Sequence, residues 1–97
     1  MRIFISQPMK DKTDEEIKRE RERIIAEVSE QHEEVDVIES FFEGAPHDAK
    51  PLWFLGKSLE LLSTADAAYF AEGWKDARGC RIEHLCAEEY RIEIISD

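Results

Sequence analysis

The sequence predicts an α/β domain in which a short parallel sheet of about four strands carries helices on both faces. Two observations lead there. Short runs rich in isoleucine, valine and aromatic residues alternate with amphipathic segments of helical length. The crossovers between consecutive runs are long enough to hold those helices, which makes the connections parallel and right-handed. The 97 residues allow one modest core, so 1–97 reads as a single domain without linker, repeat or low-complexity segment.

Taken in order, residues 2–6 (RIFIS) form an apolar run that ends in Gln-Pro and is predicted as a buried first strand opening into a loop. Thr13-Asp14-Glu15-Glu16 has the pattern of a capping box, so a helix is expected to start there and run to about Ser29. Ile17, Ile24, Ile25 and Val28 give it a narrow apolar stripe, and its dense charges read as a solvated face. Residues 35–38 are the expected second strand, followed over 40–50 by a surface loop containing Gly44 and Pro46.

Asp48 is placed to cap a second helix with Pro51 in its first turn, and Leu52, Leu55, Leu59 and Leu62 line that helix as far as Thr64. A third strand is expected over 66–71. After the Gly73-Trp74 turn, a third helix over 79–90 would place Ile82, Leu85, Cys86 and Tyr90 on one side. Residues 91–95 close the chain as a fourth strand. The expected arrangement is a three-layer, flavodoxin- or Rossmann-like sandwich with strand order 2-1-3-4, and in such sheets ligands bind beyond the carboxyl ends of the strands. Here that rim comprises residues 6–12, 40–50 and 71–79.

Composition narrows the function. A net charge of −10, from 23 acids against 13 bases, disfavours the phosphate backbone of DNA or RNA, so no nucleic-acid polymer is expected as a partner. No apolar run approaches the roughly 18 residues of a membrane span, and the N-terminal stretch lacks the apolar core of a secretory signal. A soluble chain with no membrane partner and a cytoplasmic address is the expectation. Cys80 and Cys86, six apart on one helix, point about 120° from each other, which argues against a mutual disulfide and favours two buried thiols over a metal or redox role. His47 and His84 have no partner at metal-ligand spacing, so no metal site is expected.

The stretch from Gly73 to His84 is the most informative: a strand-to-helix loop with a glutamate following on the next helix. Gly79 would let that helix's backbone approach a ligand closely, and Glu83, one turn on, is placed to point back over the rim. By itself, a carboxylate in a first helical turn also has a plain structural use against the helix dipole. Trp74 is placed to stack on a nucleobase, and Arg78 to meet a phosphate. Arg81 reads as surface charge, Asp66 as a turn-former and Trp53 as packing. Ser6, Gln7, Pro8 and Met9 lie where the first strand opens onto the rim, where they read either as an ordinary loop or as ligand contacts, with Gln7 offering both donor and acceptor.

The first strand followed by Ser-Gln-Pro-Met, the run from Leu59 through Asp66-Ala67-Ala68-Tyr69-Phe70, and Gly79-xxx-Glu83-xxx-Ala87 together resemble the nucleoside 2-deoxyribosyltransferase-like superfamily over nearly the whole chain. Gly-Lys-Ser at 56–58 and Gly-Trp-x4-Gly-Cys-x2-Glu-His at 73–84 are similar to its small bacterial and phage-type branch, a domain of unknown function. The resemblance implies that Glu83 is a nucleophile attacking the anomeric carbon of a nucleoside or nucleotide. A covalent glycosyl-enzyme intermediate and either deoxyribosyl transfer or N-hydrolysis would follow.

The same resemblance implies no cofactor and a homo-oligomer. Where characterised members carry an assisting aspartate, this chain has Ser58, able to bond a sugar hydroxyl but not to shuttle a proton as a carboxylate does. Phe4 replaces a tyrosine, and Ala77 with Asp76 beside it stands where an aspartate or a phosphate-contacting serine occurs. Two other functions fit the same residues: a non-catalytic nucleotide-binding or sequestering module, and a homo-oligomeric interaction protein without a small ligand. An enzyme of this kind predicts a Glu83 pKa that is normal or depressed, because the nucleophile must be ionised.

Overall fold

Apolar residues at successive positions in two adjacent strands, Ile3 to Ile5 and Ala67 to Phe70, allow a sheet buried on both faces, and the chain is wound accordingly. The computed structural model describes residues 1–40 and 47–95. In chain order these form β1 (Arg2–Ser6), α1 (Asp14–Gln31), β2 (Asp36–Val37), α2 (Pro51–Leu62), β3 (Ala67–Phe70), a 3-10 turn (Trp74–Asp76), α3 (Arg78–Glu89) and β4 (Glu93–Ile94). The four strands pair in parallel in the order β2-β1-β3-β4, as the sequence predicts. Gly44 and Pro46, which marked the expected surface loop, lie outside the described residues.

Strand alternation sorts side chains between two cores. Ile3, Ile5, Tyr69 and Ala71 meet Ile24 and Val28 of α1 on one face. Phe4, Ala68 and Phe70 meet Leu62 of α2 and Ala87 of α3 on the other. The result is a three-layer α/β sandwich. The register pairs Ile3 with Ala67 and Ser6 with Phe70, so β1 and β3 end together at the rim where the site is expected. At the opposite end Asp66 takes the Arg2 amide on its carboxylate at 2.8 Å and returns its own amide to the Arg2 carbonyl, extending the ladder away from any rim chemistry.

Thr13 and Glu16 form the expected capping box, each side chain accepting from the other's backbone N–H. The expected cap at Asp48 is not formed. Lys50 is the N-cap of α2 and makes no side-chain cap bond, because an ammonium has no acceptor to offer the free amides of the first turn; Pro51 fills the first helical position. β4 starts later than expected because Arg91 sits at φ 59° in a Schellman ending of α3: the Ile92 amide reaches back to the Ala87 carbonyl and the Arg91 amide to that of Glu88.

Two helical faces differ from expectation. The solvated charge of α1 has an exception in Arg21, which is buried between Ile17 and Ile24 and donates from Nη2 to the Ile38 carbonyl at 2.8 Å and from Nη1 to Ser40 Oγ at 3.3 Å. In α3 the inward residues are Cys80, Glu83 and Ala87; Leu85 and Tyr90, expected on the core side, are 56% and 79% exposed. Small Cys80 and Ala87 let the helix approach the sheet closely, and that rotation turns Leu85 outward. Both cysteines are free, Cys80 buried and Cys86 only half-buried. Among the described residues no helix is long and apolar enough to cross a membrane.

Replacing Arg21 by Met keeps the apolar stem but orphans the buried Ile38 carbonyl. Arg21→Met is expected to lower the unfolding free energy by about 1–3 kcal/mol in urea titration. Arg19→Ala, at an exposed pair with Glu15, should leave it nearly unchanged.

Candidate active site

The site is built from the last residue of β1 and the second turn of α3. Ser6 shares its strand face with Phe4, toward α2 and α3. α3 begins at Arg78, so Glu83 falls in its second turn and not the first, and its dipole role at a helix start lapses. Side chains lean toward a helix's N-terminus, which carries the Glu83 carboxylate back to the rim. There Ser6 Oγ donates to Glu83 Oε1 at 2.6 Å, a short charge-assisted bond between residues 2% and 7% exposed. The bond spans 77 positions of sequence.

Burial pushes the Glu83 carboxyl above the ordinary carboxylate range, while the Ser6 and Ser58 hydroxyls pull it down. The net direction is upward, contrary to the normal or depressed value expected of a resting nucleophile, because a carboxylate buried this deeply loses more solvation than two hydroxyls return. Cys80 adjoins the same group. Burial drives its thiol up, the Ser6 hydroxyl draws it down and the Glu83 charge raises it further, so it is no thiolate nucleophile. Ser6, Ser58, Cys80 and Glu83 thus form one polar cluster under the rim. Cys80 was the member sequence reasoning missed, read only as an inert thiol; its i, i+3 spacing to Glu83 is the signal that it shares the buried face.

The remaining expected residues are distributed around this cluster. Gln7 goes to the other face of the sheet, donating from Nε2 to the Ile17 carbonyl at 3.1 Å and to Glu20 Oε1 at 3.0 Å. Its Oε1 is buried with no hydrogen-bond partner among the described residues. Pro8 packs at the rim, its Cγ 3.6 Å from where a Cβ on Gly73 would stand. Gly73 itself needs glycine for its φ of +88°. Met9, Asp76 and Arg78 are exposed, and a Cβ on Gly79 would meet nothing within 4 Å, so the space beside it is open.

Trp74 is half-buried and already stacked: its ring lies 3.9 Å from that of His84 at 10°, with Phe70 edge-on to His84 at 4.7 Å. His84 Nδ1 is 2.9 Å from Glu88 Oε1. One indole face is therefore taken by the protein itself. Arg81 donates to the Lys75 carbonyl at 3.0 Å, bracing the loop in place of the plain surface role expected of it. An open depression of about 550 Å3, lined by Phe70, Glu72, Gly73, Trp74, Lys75 and Asp76, lies along this loop; neither Ser6 nor Glu83 lines it. Among the described residues no three His, Cys, Asp or Glu side chains are grouped to hold a metal.

The chain matches no protein-family model, and no curated protein or solved structure matches it. The geometry therefore stands alone. Chemically it offers a desolvated carboxylate with one oxygen held by Ser6 and the Ser58 hydroxyl acting on the same group.

Because the folded protein raises the Glu83 pKa, the native state binds the extra proton between the unfolded and folded values, and stability falls as pH rises through that interval. Glu83→Gln keeps an oxygen for Ser6 but removes the charge. The variant is expected to melt above the parent at pH 7, with the difference vanishing on acidification below the ordinary carboxylate range. Thermal melts of both proteins across pH 3–8 measure this; a variant that melts lower at pH 7 and converges at no pH would contradict it.

Proposed function

We propose that this protein is an N-glycosidic-bond enzyme acting on a nucleoside or nucleotide, by deoxyribosyl transfer or hydrolysis, with Glu83 as nucleophile. The carrying observation is the Glu83 carboxylate held through Oε1 by Ser6 at the carboxyl end of a central strand. A nucleophilic carboxylate needs one oxygen anchored so that the other is aimed, and desolvation makes that free oxygen more reactive once it is ionised. In the first step Oε2 bonds to the anomeric carbon while the C–N bond breaks, its electron pair leaving with the base, which takes a proton from water. In the second, water or the nitrogen of another base attacks the same carbon. The ester bond breaks, Glu83 returns to a carboxylate, and the attacking group gives its proton to solvent.

The Ser58 hydroxyl, which acts on the same carboxylate, is positioned to exchange that contact for a sugar hydroxyl. The rim loop with Trp74, Asp76, Arg78 and Gly79 would take base or phosphate, with Ser6, Pro8 and Met9 on the opposite side. In this reading the protein is cytoplasmic and works as a homo-oligomer without cofactor. The superfamily resemblance of the sequence supports the assignment but does not carry it.

A second reading is favoured by two observations: the upward direction of the Glu83 pKa, and a rim depression that Glu83 does not line. These suit a module that binds a nucleotide without turning it over. Incubating the protein and Glu83→Gln with deoxynucleosides, ribonucleosides and their monophosphates, a second free base present, separates the two. The enzyme is expected to release free base or exchanged nucleoside, falling roughly a thousandfold or more in the variant. Binding without product across the panel would replace the enzyme by the binding module.

A further inference from the structure

We infer that, with Glu83 as the nucleophile proposed above, Glu20 on α1 is the general base of the second step, taking the proton of the water that attacks the anomeric carbon. Ser6 ends β1 and Gln7 follows it, so their side chains leave opposite faces of the sheet. Each holds a glutamate through one oxygen. Ser6 Oγ donates to Glu83 Oε1 at 2.6 Å on the α3 side, and Gln7 Nε2 donates to Glu20 Oε1 at 3.0 Å on the α1 side. Two carboxylates from different helices thereby converge on the end of one central strand.

The Cys80 thiol registers both of them. Burial is the main reason its pKa is raised, and the Ser6 hydroxyl draws it down; the charge of Glu83 and, more weakly, that of Glu20 push it further up, with Lys12 opposing them. Glu20 is equipped to act as a base. Gln7 Nε2 and, at 3.6 Å, Lys12 Nζ are both donors to it, and its side chain is 20% exposed, so water reaches it more readily than it reaches Glu83. The other rim acids, Glu72 and Asp76, are exposed along the depression that Glu83 does not line.

Gln7 supplies the second observation. The amide whose nitrogen holds Glu20 carries at its other end Oε1, a buried acceptor with no hydrogen-bond partner among the described residues, on a side chain only 6% exposed. A buried acceptor without a donor is costly, and an attacking water lying against Glu20 provides that donor. In the step, the water oxygen bonds to the anomeric carbon, the Glu83 ester bond breaks with its electron pair returning to the carboxylate, and Glu20 takes one proton from the water. That proton then passes to solvent, where it balances the one the base took on leaving.

Azide tests this, because it attacks as an anion and has no proton to give up. The parent, Glu20→Gln and Glu20→Asp are incubated with the deoxynucleosides, ribonucleosides and monophosphates, with and without sodium azide. Glu20→Gln is expected to lose about a hundredfold or more in kcat with unchanged far-UV circular dichroism, and to accumulate protein carrying one sugar on Glu83 by mass spectrometry. Azide is expected to restore most of its turnover and to appear in the product as a glycosyl azide. Glu20→Asp, which keeps the charge but draws it back by one methylene, should fall between parent and Glu20→Gln and be revived by azide as well. Variants that turn over at the parent's rate, or that slow without accumulating glycosyl-enzyme and gain nothing from azide, overturn the role of Glu20 and leave Glu83 as nucleophile. A parent that releases no base from any member of the panel removes the Glu83 reading itself, and the role of Glu20 with it.

Discussion

The hydrogen bond from Ser6 to Glu83 sets the rest of the molecule. It joins the end of the first strand to the last helix and fixes how α3 is rotated about its own axis. A carboxylate can lie at the sheet only with a donor waiting there and small neighbours along the same helical line. Cys80 and Ala87 provide that line, both buried. Once they face inward, Leu85 must face outward. The same rotation puts His84, one residue along, against the rim loop, where it stacks on Trp74 and contacts Phe70.

The rim loop is therefore tied to the helix that carries the carboxylate. Gly73 turns the chain with a positive φ, Trp74 lies on His84, His84 is held by Glu88, and Arg81 reaches back to the Lys75 carbonyl. The Trp74–His84 stack and the Arg81 bond run between the loop and α3, so the two behave as one piece bordering the open depression. On the other side of the sheet, Gln7 and Glu20 tie the loop after β1 to α1. The cluster at Glu83 is enclosed by tethered elements, which is what keeps a costly buried carboxylate in a single geometry.

Charge divides the surface. The first turn of α1 concentrates acids at its N-terminus, where the helix dipole favours them, and its inner stripe buries Arg21 as a brace on the end of β2. α2 has no comparable coat of acids. The sheet is already filled by Phe4, Ala68 and Phe70 and needs only the edge of α2 with Leu59, Leu61 and Leu62 to close, so the rest of that helix, with the Lys57–Glu60 pair, is left outside the core.

Local signals determined much of this protein without help from tertiary contacts. The capping box at Thr13, the run from Ala67 to Phe70 and the crossover lengths were sufficient for the element order and for the parallel arrangement, because caps, strand periodicity and connection handedness act over a few residues. They also placed Glu83 and Ser6 at one end of the sheet. What the tertiary structure decided was orientation. Helical periodicity alone ranks Leu85 above Glu83 as a core residue, since it weighs side chains by hydrophobicity and not by the donor each will meet. Only the arrival of Ser6 from 77 positions away makes the carboxylate the inward group. Likewise Arg21 is buried because a carbonyl at the end of β2 needs its protons, and Gln7 turns to α1 because two acceptors wait there; both depend on partners that sequence spacing does not reveal.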